Sequence, residues 1–161
     1  MEIYCTILGR VNWKKLIVAI FICQLAGILG SVFTVSAIPT WYASLVKPSW
    51  NPPGWLFGPA WTTLYTLMGI SLYRIWRKPR NNQALFWFYT QLFFNAMWSI
   101  IFFGQRNIPG AFAEILVLLA LIVVVIKKFY KIDKRAAYLL IPYLVWVSFA
   151  SYLNYTLLIL N

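Results

Sequence analysis

The residues available for chemistry are few and of unusual kinds. The sequence has no histidine, and its acids are Glu2, Glu114 and Asp133. The thiols of Cys5 and Cys23 stand apart. Scattered acids and separated thiols build neither a metal cage nor a disulfide framework, and imidazole chemistry is excluded. No metal or cofactor is expected. Aromatic rings and amides remain, and they recur at helical spacing. Gln91, Asn95, Trp98 and Phe102 follow at steps of four, three and four, with Ser99 beside them. Phe57, Trp61, Tyr65 and Gly69 share a second face, and Tyr143, Trp146, Ala150 and Asn154 a third. Amides that face lipid are costly, so these stripes should turn inward. Trp61, Trp98 and Trp146 would then form walls, Asn95 would supply a donor and an acceptor, and Ala150 would leave room. Such a set suits a planar, largely apolar ligand such as a tetrapyrrole, and a sterol could also be held. Spacing alone describes core-filling aromatics as well, and by itself favours that plainer reading.

The elements that must carry these faces are legible from composition. Of 161 residues, 62% are hydrophobic and 11% charged, too few to clothe a soluble domain. Residues 16–38, 55–73, 84–104 and 136–161 carry no charge, and 109–126 carry only Glu114. A helix needs about 20 apolar residues to cross a hydrocarbon core. These runs are apolar all round, unlike the alternating strands of a barrel. The expected fold is an all-α membrane protein, a five-transmembrane-helix bundle in one domain over 1–161. Its spans should lie at about 16–38, 55–76, 84–104, 109–128 and 136–160. A long aromatic and proline-rich loop should join helices 1 and 2.

The net charge of +11 resembles a nucleic-acid binder, but its placement does not. Arg10, Lys14 and Lys15 precede the first run, Arg74, Arg77, Lys78 and Arg80 follow the second, and Lys127, Lys128, Lys131, Lys134 and Arg135 follow the fourth. The alternate connectors hold only Lys47 and Arg106. That asymmetry puts the N-terminus inside and the C-terminus outside. It implies anionic lipid headgroups, not nucleic acid, as the partner of the basic side. The first run lacks a small-residue cleavage site and reads as a retained helix.

The connector 38–54 holds Pro39, Pro48, Pro52 and Pro53 with Trp41 and Trp50. Proline removes a donor, so one continuous helix is not expected, and Thr40 could cap a short helix ended by Pro48. The segment suits a lid over an interhelical cavity, or an ordinary interfacial aromatic belt. Cys23, Gly27 and Ser31 form a small-residue stripe that reads as helix packing. Pro142 should kink the last span. Glu114 lies about a turn into the fourth span, within expected reach of water or Arg106, where structural pairing is a simpler role than proton transfer. A sterol-type pattern around Leu153 and Tyr155 lacks its basic residue, and the reversed pattern Arg135, Tyr138, Leu140 is weak.

These residues resemble a known family. Trp41-Tyr42, Lys47-Pro48-Ser49-Trp50, Pro52-Pro53-Gly54, Gly58-Pro59, Trp61 and Tyr65 are similar to the TspO/MBR family of tryptophan-rich sensory and translocator proteins, also called peripheral-type benzodiazepine receptors. Later blocks agree: Gln91-Leu92, Asn95, Trp98, Phe102-Phe103-Gly104, then Pro142-Tyr143, Trp146, Phe149-Ala150 and Leu153-Asn154. The resemblance implies a five-helix bundle, often a homodimer, with a cavity closed by the first loop. It implies a membrane receptor, sensor or carrier for porphyrin-type tetrapyrroles, with Tyr42, Phe57, Trp61, Asn95, Trp98, Tyr143, Trp146 and Ala150 as ligand-binding residues. The absent basic residue of the animal sterol motif argues against tight cholesterol binding. Some bacterial members imply light- and oxygen-dependent porphyrin breakdown, in which Trp61 and Trp146 would act. A regulatory membrane partner without a small ligand is the remaining alternative. A prokaryotic cytoplasmic membrane is the expected location.

Overall fold

A computed structural model describes residues 11–79 and 81–161. Cys5, Arg10 and Arg80, invoked above, lie outside the described residues. Helices α1 (Trp13–Ala37), α2 (Gly54–Trp76), α3 (Asn82–Ser99), α4 (Ile108–Ile132), α5 (Lys134–Tyr138) and α6 (Ile141–Leu160) follow in order, with no strand among the described residues. The stretches Trp13–Tyr42, Asn82–Gly104, Ile108–Ile132 and Lys134–Leu160 are long and apolar enough to cross a membrane. The α2 sequence is less apolar, being rich in Trp, Tyr, Thr and Gly.

Local chemistry sets the helix ends. Asn12 accepts from the Lys15 N–H and starts α1, and Asn107 accepts from the Gly110 N–H and starts α4. Asp133 accepts from the N–H groups of Arg135 and Ala136 and starts α5. The prolines behave differently from expectation. The first helix does not stop at Pro39 but runs on as a π-helical turn over Ile38–Tyr42. The wider turn accommodates the ring, and the Thr40 hydroxyl donates to the carbonyl of Ser36 at 2.7 Å. Thr40 therefore caps no new helix, and the irregular connector shrinks to 45–53. Nor does Pro142 kink a continuous helix. It sits in the first turn of α6, after a break at 139–140, where its missing N–H costs nothing.

Antiparallel α1 and α2 touch most closely where side chains are smallest. A Cβ on Gly69 would strike the backbone of Ile20, and one on Gly27 the ring of Tyr65. Helix α4 packs against α3 and α6, and Phe88 stacks on Phe129 with centroids 5.6 Å apart. At one end of the bundle the Asn12 N–H donates to Tyr73 Oη, and Arg74 pairs with Asp133 at 2.8 Å. Burial alone would raise the Asp133 carboxyl. The Arg74 guanidinium and the backbone N–H groups of Ala136 and Arg135 outweigh it and hold the carboxyl below its ordinary range. The described basic residues of the N-terminal flank, the α2 end and the α4–α5 turn gather at this end.

Candidate functional site

The other half of the bundle is hollow. A cavity of about 330 Å³ is lined by α1, α2, α3, α4 and α6. Six of the eight residues expected from sequence meet there: Phe57, Trp61, Asn95, Trp98, Trp146 and Ala150. Tyr42 lies outside it, on an adjoining void of about 30 Å³ that shares Phe57, Trp98 and Ala150. Tyr143 is 1% exposed and sits behind the wall, edge-on to Trp61 at 6.2 Å.

Aromatic packing orients the walls. Trp61 stacks on Tyr65 at 5.3 Å, and Trp98 on Phe102 at 5.0 Å. Trp146 meets Phe57 edge-on at 6.3 Å. Each pairing combines buried area with a favourable ring geometry. The indole N–H of Trp98 donates to Asn154 Oδ1 at 3.3 Å. Among the described residues no hydrogen bond engages the indole N–H of Trp61 or Trp146.

One polar chain crosses the floor. Tyr65 Oη donates to Asn95 Oδ1, Asn95 Nδ2 donates to Tyr143 Oη at 2.9 Å, and Tyr143 Oη donates to Gln91 Oε1 at 3.0 Å. It ties α2, α3 and α6 together and satisfies groups that would be costly alone in hydrocarbon. Asn95 keeps one N–H and one acceptor lone pair for a ligand.

The connector 45–53 lies at the end away from the basic cluster and is tied down at several points, though none of its residues lines the cavity. Lys47 Nζ donates to the carbonyls of Tyr42, Ala43 and Leu45 within 3.0 Å, closing the C-terminus of the first helix. Tyr42 Oη donates to Asn51 Oδ1 at 2.6 Å. Trp50 stacks on Tyr152 at 5.2 Å, and the Asn161 amide exchanges two hydrogen bonds with the Val46 backbone.

With this arrangement in view, comparison with known proteins is decisive. The sequence profile of the TspO/MBR family matches residues 19–160. The chain belongs to the TspO/MBR family. It is 43% identical over 150 residues to the tryptophan-rich protein TspO of Chlorobaculum tepidum, covering 91% of this chain and 95% of that one. It is 42% identical to the TspO of Archaeoglobus fulgidus, covering 93% and 99%. It is 38% identical to the translocator protein of Homo sapiens, covering 79% and 78%. Family membership and the four long apolar helices make the chain an integral, multi-pass membrane protein.

For this family member, α1 contributes what sequence reasoning did not foresee. Gln24, Gly27, Ser31 and Thr34 line the cavity, although the stripe Cys23, Gly27, Ser31 reads as packing. Only Cys23 of that stripe is wholly buried in the core. The signal was the density of small and hydroxyl residues on one helix, which fits close packing and cavity walls equally. Glu114 also departs from expectation. Arg106 is exposed in the α3–α4 connector, and both Glu114 carboxyl oxygens are buried without a hydrogen-bond partner among the described residues. The expected pairing is absent because Glu114 lies on the buried stripe of α4 with Ala111, Ile115 and Leu118.

Proposed function

We propose that the chain is a membrane receptor or carrier that holds porphyrin-type tetrapyrroles in the bundle cavity. The carrying observation is the cavity itself, walled by Trp61, Trp98 and Trp146 with Asn95 at its polar floor. Flat rings stack on indoles, while free indole N–H groups and the amide suit pyrrole nitrogens or carboxylates at the edge. At about 330 Å³ the space falls within the 300–1,000 Å³ typical of small-molecule sites. The shared family with tryptophan-rich sensory and translocator proteins supports the same reading. Titration of the purified protein with protoporphyrin should quench tryptophan fluorescence saturably. Trp146→Ala should weaken binding by roughly tenfold, the loss of one stacked aromatic wall. Unchanged affinity in a folded Trp146→Ala protein would reject this cavity as the site.

We further propose that α2 is the fifth span, and that all five spans form one domain. Its length of 23 residues and its packing along α1 support this. The clustering of basic residues at one end supports a cytoplasmic N-terminus and contact with anionic headgroups there.

A further inference from the structure

The cavity wall is not sealed on its α1 and α2 side. Its α1 and α2 linings include residues that face outward: Ile28 is 53% and Val35 71% exposed, and Ser31, Gly58 and Thr62 are exposed too. The opening has a frame. Below, Gln24 Nε2 bridges the helices, donating to Thr62 O and Thr66 Oγ1 at 3.1 Å. Above, a Cβ on Gly54 would meet Ile38 Cγ2 at 3.4 Å, ordinary contact. Between these points a Cβ on Gly58 would meet nothing within 4 Å. From Gln24 to Ile38 the α1 edge rises about 21 Å, and from Gly54 to Thr62 the α2 edge rises about 12 Å.

We propose that the cavity is loaded sideways from the bilayer, through this window between α1 and α2, and that it takes ligands already dissolved in the membrane. This deepens the porphyrin reading and rests on it for the ligand's ring chemistry. The rim is built for an apolar passage. The hydroxyls of Ser31, Thr62 and Thr66 each donate to a carbonyl of their own helix, Ile28, Gly58 and Thr62. Their polarity is satisfied locally, so a ring crossing the rim strips no unpaired donor. The segment 45–53 adds no lining residue to the cavity and is held in place, with Trp50, Asn51 and Val46 tied to Tyr152, Tyr42 and Asn161. A window also accommodates ligands larger than the enclosed space. A tetrapyrrole with its substituents can seat one face against Trp146 and leave an apolar edge in lipid.

The test uses an apolar carbene precursor, 3-trifluoromethyl-3-phenyldiazirine, dissolved in vesicles containing the full chain. Samples are flash-photolysed at increasing delays, and insertion is located by mass spectrometry. Insertion at Trp146 and Ala150 should follow that at Phe93, which is 62% exposed. Gly58→Phe and Ser31→Phe, on opposite edges, should each slow cavity insertion by about tenfold and leave Phe93 unchanged. Trp50→Ala, which loosens the loop, should not speed it. Unchanged cavity rates in both window variants, acceleration in Trp50→Ala, or an untagged cavity in the native protein would each overturn lateral loading. The probe is not a porphyrin, so failure of the native protein to bind protoporphyrin would sink the porphyrin reading alone.

Discussion

Asn95 Nδ2 on α3 donates to Tyr143 Oη on α6 at 2.9 Å, joining a cavity-lining amide to a residue the cavity never touches. The Tyr143 hydroxyl serves two amides, accepting from Asn95 and donating to the buried Gln91. Tyr143→Phe should leave both amides short of a partner and cost about 1–3 kcal/mol of stability. Thermal unfolding in detergent measures that cost. Porphyrin affinity should fall by several-fold in the same variant, because the Asn95 amide then keeps only its Tyr65 tether. Full affinity in Tyr143→Phe would show that the amide orientation is set elsewhere.

Two glycines of α2 should respond oppositely to the same substitution. A Cβ at Gly69 collides with the Ile20 backbone, which cannot move without displacing α1. A Cβ at Gly58 meets open space. Gly69→Ala should destabilise by about 1–3 kcal/mol through overpacking. Gly58→Ala should be neutral or stabilising by up to about 1 kcal/mol through helix propensity. Melting temperatures of the two variants, measured side by side, check both signs.

The Asp133 carboxyl is held below its ordinary range by Arg74 and by the α5 N–H groups. A depressed carboxyl contributes stability that is fully present above its unfolded pKa and is lost as pH falls through its folded value. Stability should therefore drop as pH is lowered below about 4. Asp133→Asn keeps a cap and should flatten that acid dependence. Asp133→Ala removes the cap as well and should cost about 1 kcal/mol more at neutral pH. Unfolding followed between pH 3 and 7 separates the three proteins, and identical acid profiles would count against the assignment.

Trp50 should govern the loop's order. Its stacking on Tyr152 and its edge contact with Phe149 anchor the middle of 45–53. Trp50→Ala should raise amide hydrogen exchange across this segment while α3 and α4 stay protected. Exchange confined to the native level would mean that the Asn161 and Tyr42 contacts suffice.

Glu114 has a buried carboxyl without a hydrogen-bond partner among the described residues. Replacing an unpartnered buried polar group with an apolar one of similar size removes a desolvation penalty. Glu114→Leu should raise the melting temperature, and Glu114→Gln should change it little. A large loss of stability in Glu114→Leu would reveal that the carboxyl serves the fold.

Much of this molecule is legible in one dimension. Long uncharged runs, apolar all round and bounded by basic clusters, read as helices whose backbone bonds close within themselves, because hydrocarbon offers no other partner and the alternation of a barrel strand is missing. The i+3 and i+4 spacing of Asn95, Trp98 and Phe102, or of Tyr143, Trp146 and Ala150, places them on single faces whatever the tertiary arrangement. Even the inward turn of Gln91 and Asn95 follows from the cost of an amide in lipid.

Other features depend on how the faces meet. Whether Trp61, Trp98 and Trp146 fill a core or surround a hollow turns on helix separation, which no single helix encodes. The same holds for α1, whose Gly27 and Ser31 look alike in sequence. Gly27 takes the Tyr65 ring while Ser31 stands at an opening, because the partner helix supplies the ring in one place and Gly58 in the other. Pro39 forbids a regular helix locally, yet the chain stays helical because a π-turn and a Thr40 hydroxyl absorb the defect. Periodicity and burial cost act within a segment and determined the elements and their inward faces. The cavity, its outward-facing α1 and α2 wall and the anchoring of the loop arise from contacts between segments far apart in the chain, and only the assembled bundle decides those.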